Sequence, residues 1–184
     1  SNSNTGVDLG ASEQIPDSAV IYFTGADWSG FRPGGFTETV AGISSPSGRG
    51  VIENAGQGQG GLVTVDGTLI VNNTADFVYN GFIRNNDGGN STKLNLVKSG
   101  PGRLTFGVNP ADGNNARIAY TGTTTINGGV LELVDLKNGS AFASPVTVNT
   151  GGTLEVNSSF AFASRWNYAA AIGGNGTVNK TGTG

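Results

Sequence analysis

The sequence predicts an all-β protein wound as a β-solenoid, and three observations predict it. Strand-sized runs of alternating apolar and polar residues recur along the chain, with turn dipeptides between them. A strand–turn–strand phrase, VTVDGTLIVN at 63–72, returns as VTVNTGGTLEVN at 146–157. A shorter echo sets INGGVLELV at 126–134 against NTGGTLEVN at 149–157, an offset of 23 residues. That step is the size of one coil of a solenoid, where each strand pairs with its equivalent one turn away at about 4.8 Å.

In chain order the strand runs are 19–24, 36–43, 48–54, 62–72, 76–83, 93–99, 103–108, 116–122, 123–128, 130–135, 145–149, 153–157 and 176–180. Each is rich in β-branched or aromatic residues and is bounded by Gly, Asn or Asp. The stops include Asp66-Gly67, Asp87-Gly88, Asn127-Gly128 and Asn175-Gly176. Alternation places Val63, Val65, Leu69 and Val71 inside, and Val146, Val148, Leu154 and Val156 inside in the second copy. Helix signals are weak. The two candidates, near Glu13 and near Arg165, are short and bounded by Pro or Gly.

The longer repeat has further landmarks. Tyr79 with Ile83 returns as Tyr168 with Ile172, and LVKSGPG at 96–102 returns as VNKTGTG at 178–184. These define a duplicated module, and they predict that the chain stops within a further repeat. No repeat anchors residues 1–60, which are therefore expected to form an N-terminal cap or irregular β segment ahead of solenoid turns at 61–184. A solenoid end exposes unpaired strand edges and apolar core, so some capping structure is required.

Composition removes several functions. The 184 residues include 32 Gly, and only 12% are charged. With no His and no Cys, the chain can build no Ser-His-Asp triad, no His-ligated zinc site and no disulfide. A net charge of −3 without a basic run argues against nucleic acid as a partner. No run approaches the roughly 18 apolar residues of a membrane helix, so no membrane insertion is expected within these residues. No cofactor is expected either.

At LVKSGPGRLTFGVNPADGNNARIAYTGTTTINGGVLEL, residues 96–133, the chain resembles the autotransporter-associated β-strand repeat. The residues that carry the resemblance are Lys98, Ser99, Gly100, Gly102, Leu104, Thr105 and Phe106. They are followed by Tyr120-Thr121-Gly122, Thr124-Thr125-Ile126-Asn127, Gly129, Leu131 and Leu133. The link GVNPADGNNARIA is longer than the family's usual one. The resemblance implies a right-handed parallel β-helix in the passenger of a bacterial type V secreted or surface protein. It implies a stalk at the cell surface, and it carries over no catalytic residues.

Several segments invite a chemical reading. GQGQGG at 56–61 satisfies G-x-G-x-x-G, but a strand follows it where a dinucleotide fold needs a helix, so it is read as a turn. Glu132 and Glu155 occupy equivalent places in two coils. On adjacent turns they would lie about 5 Å apart, a spacing suited to glycoside chemistry or Ca²⁺, or to a plain solvated face. The sequence shows no third acid and no clear cation beside them. NNDGGNST at 85–92 and the stretch 107–117 read as protruding loops.

The segment YFTGADWSGFRPGGF at 22–36 concentrates aromatic residues among glycines. Tyr22, Asp27, Trp28, Phe31 and Arg32 are its candidate ligand-binding residues, because rings stack on apolar sugar faces while polar groups take the hydroxyls. The competing reading makes the segment part of the cap. The functional expectation is an extracellular structural and interaction module supporting adhesion or display, with a glycan or cell-surface ligand as partner. The alternatives are a polysaccharide-binding or polysaccharide-degrading β-helix, and a module that stacks end to end with itself.

Overall fold

The computed structural model describes residues 5–56, 61–86, 91–107, 118–135, 142–159 and 168–183. They form a parallel β-solenoid of about six turns with three sheet faces, and no helix occurs among them. The first face stacks β1 (Gly6–Asp8), β3 (Ser29–Arg32), β6 (Gly50–Glu53), β9 (Phe82–Arg84) and β12 (Ile118–Ala119). The second stacks β4 (Thr37–Val40), β7 (Gly67–Asn72), β10 (Leu94–Ser99), β13 (Thr124–Ile126), β15 (Val146–Val148) and β17 (Ile172–Gly174). The third stacks β8 (Phe77–Tyr79), β11 (Arg103–Phe106), β14 (Gly129–Val134), β16 (Gly152–Asn157) and β18 (Thr177–Thr181). A bridge from Ser45 to Tyr79 continues this third face into the pair β2 (Val20–Tyr22) and β5 (Gly42–Ser44).

The core is a set of columns running along the coil. Leu69, Leu96, Thr124 and Val146 are successive register partners on the second face, and so are Val71, Lys98, Ile126 and Val148. On the third face Leu104, Leu131 and Leu154 follow one another. All of these are buried, so every turn buries its neighbours' apolar residues as well as its own. Phe23, Tyr79 and Phe106 add an aromatic stack with edge-to-face centroid distances of 5.9 and 6.2 Å.

The 23-residue echo is one turn of the coil. Gly129 pairs with Gly152, Leu131 with Leu154 and Leu133 with Val156. The longer repeat is different. Its first phrase lies in β7 on the second face and its second in β16 on the third. From β7 the second face passes β10 and β13 to β15, three turns, and β16 follows one face later. The pair KSG and KTG shifts in the same way, from β10 to β18. The duplicated module is thus three turns plus one face, which is possible because each face presents the same problem of an inward aliphatic column.

Several expectations are revised. Val65 is 57% exposed and Val63 is only half-buried, because β7 begins at Gly67 and residues 61–66 run outside the sheets. The runs 36–43 and 76–83 each divide into two strands, on different faces, at Ala41 and at Asn80-Gly81. Three strands lack a counterpart among the expected runs: β1, β3 and β17. Residues before 60 already belong to the coil, since β6 pairs with β9 and β4 with β7 across that position. No helix forms near Glu13, where the sequence signal for one is weak. Glu38, fully buried, accepts hydrogen bonds at 2.9 Å from the Gln14 and Ile15 amides and ties that stretch to β4.

Two of the buried polar groups hold corners of the coil. Asn54, buried at one corner, donates to the Val65 and Lys93 carbonyls at 3.0 and 2.9 Å while its Oδ1 accepts the Gly35 amide. Lys98 occupies an interior place held by Val71 below and Ile126 above. Its Nζ donates to the Ser99, Gly100 and Gly128 carbonyls at 2.8, 3.0 and 3.0 Å, closing the corner between the second and third faces of two turns.

Burial pulls the Lys98 amine down to about 8, and the charge of Asp76 offsets this only in part. The folded chain therefore sheds this proton near pH 8, whereas the unfolded chain holds it to about pH 10.5. Stability is expected to rise with pH through that interval, by on the order of 1–2 kcal/mol between pH 8 and 10. Above pH 10 the buried Tyr79 phenol, pushed well above its usual range, reverses the slope. Urea denaturation at half-unit pH intervals reads this directly, and Lys98→Met should flatten the rise.

Candidate functional site

The third face carries the acidic pair. Thr105, Glu132, Glu155 and Asn179 are register partners on its outer side. Adjacent turns bring the two carboxylates together as the 23-residue offset requires. Arg103, on the turn before, lies between them: Nη1 is 3.1 Å from Glu132 and Nη2 is 3.3 Å from Glu155. This is the cation the sequence did not reveal, because a residue 29 positions upstream reaches across a turn. Thr105 and Asn157 also donate to Glu132 at 2.8 and 2.9 Å, and Thr181 donates to Glu155 at 3.2 Å.

Burial works to raise Glu132, but the bonds from Asn157, Thr105 and Arg103 outweigh it and hold the carboxyl below its ordinary value. Glu132 is thus a fixed anion, the opposite of what a proton donor in glycoside cleavage requires. Its charge is neutralised by a guanidinium where a bound cation would otherwise sit. Among the described residues no cluster of three or more acidic side chains is suited to a metal ion. The pair is a structural ion network.

The aromatic N-terminal segment is split by the coil. Trp28 precedes β3, and alternation along the strand sends Phe31 inward and Trp28 and Arg32 outward. Phe31 is 2% exposed in the core. Arg32 lies flat across Gly6 and Gly30, where any β-carbon would strike its guanidinium. It is pinned by Asp8 at 3.0 Å and Glu53 at 2.9 Å, and Arg84 completes the row from the other side of Glu53 at 2.9 Å. Burial alone would weaken this guanidinium, but the two carboxylates more than compensate and keep it charged. Tyr22, though exposed, belongs to the third face, edge-on to Phe77 with centroids 6.4 Å apart.

Trp28 and Asp27 remain at the surface of the first face. Two residues from later turns join Trp28. Arg49 places its guanidinium carbon 4.8 Å from the centre of the indole, and Phe82 packs against the indole at a tilt with centroids 5.3 Å apart. The register explains the meeting, since Ser29 pairs with Gly50 and Val51 with Phe82. Sequence reasoning missed Arg49 and Phe82, which lie 21 and 54 residues from Trp28 and share no motif with it. The loop 107–117 lies outside the described residues from 108 onward, as do 57–60 of GQGQGG, 87–90 of NNDGGNST and the second helix candidate up to residue 167.

The described residues of the 96–133 pattern all act on the coil itself. Leu104, Phe106, Ile126, Leu131 and Leu133 are buried in the core, and Lys98 ties the corner. Tyr120 is fully buried, with its hydroxyl 2.6 Å from Thr124, whose own hydroxyl is 2.7 Å from Ser144. Gly100, at φ 76°, sits on the Asn73 carbonyl of the turn below, and Gly122 sits on that of Leu94. Residues 96–133 match the family model of the passenger-associated-transport-repeat, as the sequence resemblance indicates for the same span. No curated protein and no solved structure matches the chain.

Proposed function

We propose that this chain is a segment of a secreted or surface-displayed passenger, a stiff solenoid stalk that supports adhesion. One observation carries the reading: the described residues of the family pattern serve core columns, corners and turn-to-turn contacts, and none is held in reserve for chemistry. Stacked turns build a rod from many similar weak contacts. Such a rod tolerates insertions at its corners, and it holds them away from the axis as binding surfaces. A chain without cysteine whose turns template one another also suits export in an unfolded state and folding outside.

The test is protease shaving of intact producing cells, followed by detection with an antibody to this segment. A surface stalk loses its signal on whole cells while a cytoplasmic marker survives. A segment that stays protected until lysis, and is absent from the medium, overturns the reading.

A further inference from the structure

We propose that the Trp28–Arg49 pair on the first face, backed by Phe82, is a binding site for an acidic saccharide, with the carboxylate of a uronic acid as the charged group recognised. The inference rests on the display reading above and names the ligand class of that stalk. Its basis is a difference among the arginines. Arg32, Arg84 and Arg103 each meet at least one carboxylate within 3.3 Å. The Arg49 guanidinium has no carboxylate partner among the described residues, and its contact there is the indole face.

A guanidinium lying on an indole keeps its in-plane N–H fork free, and that fork matches a carboxylate in geometry as well as in charge. The ring also fixes the cation, so little conformational freedom is lost when an anion binds. Trp28 remains half-exposed and offers apolar area to the C–H face of a pyranose ring, while Asp27, exposed beside it, can accept from sugar hydroxyls. Phe82 braces the indole from the next turn but one, and Val51 lies between them on the same outer side. The indole and the guanidinium sit just ahead of β3 and β6, and Phe82 opens β9, so three neighbouring strands of one sheet position the site.

Selectivity follows from the charges nearby. Asp8, Arg32, Glu53 and Arg84 neutralise one another in pairs, leaving Arg49 as the cation of this face that meets no carboxylate within 4 Å among the described residues, with the exposed Asp27 next to Trp28 in sequence. The chain as a whole is acidic at −3, so a general attraction for polyanions is not expected. Neutral glycans would keep only the stacking contact. A shallow site of one ring and one cation corresponds to a dissociation constant of about 0.1–1 mM, and repeated display on many copies would supply avidity.

The test uses the chain with oligogalacturonate as probe and a neutral galactan oligomer of equal length as control, followed by two-dimensional NMR. The expected result is saturable shifts with oligogalacturonate, including one of the two indole N–H signals, the one that Trp28→Ala removes. Arg49→Gln should weaken binding at least tenfold while leaving the backbone spectrum folded, and Arg49→Lys should recover only part. Equal binding of the neutral control overturns the acidic class, and binding that survives both Arg49→Gln and Trp28→Ala overturns the site. No binding at several millimolar probe also overturns it. None of these outcomes alters the shaving result, so the stalk reading stands or falls separately.

Discussion

Replacing Glu53 with alanine is expected to destabilise the first four turns by about 3–5 kcal/mol. Glu53 is fully buried and accepts from Arg32 Nε and Arg84 Nε, both at 2.9 Å. Removing it leaves two guanidiniums, one of them only 3% exposed, with Asp8 as the remaining carboxylate of the row. The penalty comes from the buried Arg32 charge, left with one carboxylate in place of two, more than from the lost bonds. In a solenoid each turn touches mainly its neighbours, so the damage should stay local. Hydrogen exchange is expected to accelerate in β3, β6 and β9 while β13 to β16 keep their protection. A triple replacement, Arg32→Met with Glu53→Leu and Arg84→Met, should recover most of the stability, because it removes the charges together with their partner. Uniform loss of protection along the whole chain would instead mean that the coil unfolds as one unit.

The contrast between the charged rows and the apolar columns explains what could be read in advance. The inward columns were legible because alternation within a strand is local, and the 23-residue echo supplied the register between β14 and β16 directly. Glu132 and Glu155 could therefore be placed side by side. Their partner could not, since Arg103 reaches them across one and two turns and no periodicity marks it. The outer face of the first sheet was harder still. The strands β1 and β3 are three and four residues long, too short for alternation to stand out among glycines. Once Ser29–Arg32 is a strand, Phe31 must turn inward and Arg32 must lie against its neighbours in the row. Of the five candidate platform residues, Trp28 and Asp27 then remain together at the surface, and the residues that join Trp28 come from later turns.

Gly122→Val is expected to break the coil between its fourth and fifth turns, with a loss exceeding about 3 kcal/mol. Gly122 lies at the corner between β12 and β13, directly over the Leu94 carbonyl and the Asn95 side chain of the preceding turn. A β-carbon there overlaps backbone, which cannot swing aside as a side chain would. The spacing of turns, about 4.8 Å, is set by the ladder hydrogen bonds and leaves no slack. The same corner also carries the Tyr120, Thr124 and Ser144 hydroxyl chain, so a displaced Gly122 would disturb three further buried polar groups. Because coupling runs only between neighbours, a lost interface in mid-coil should split one thermal transition into two and expose the chain near 118–123 to protease. The control is Gly173→Ala on β17, where a β-carbon meets nothing within 4 Å and the change should stay within about 0.5 kcal/mol. If Gly122→Val melts like the parent chain, the corners are not in close contact, and the glycine of the Tyr-Thr-Gly pattern needs another explanation.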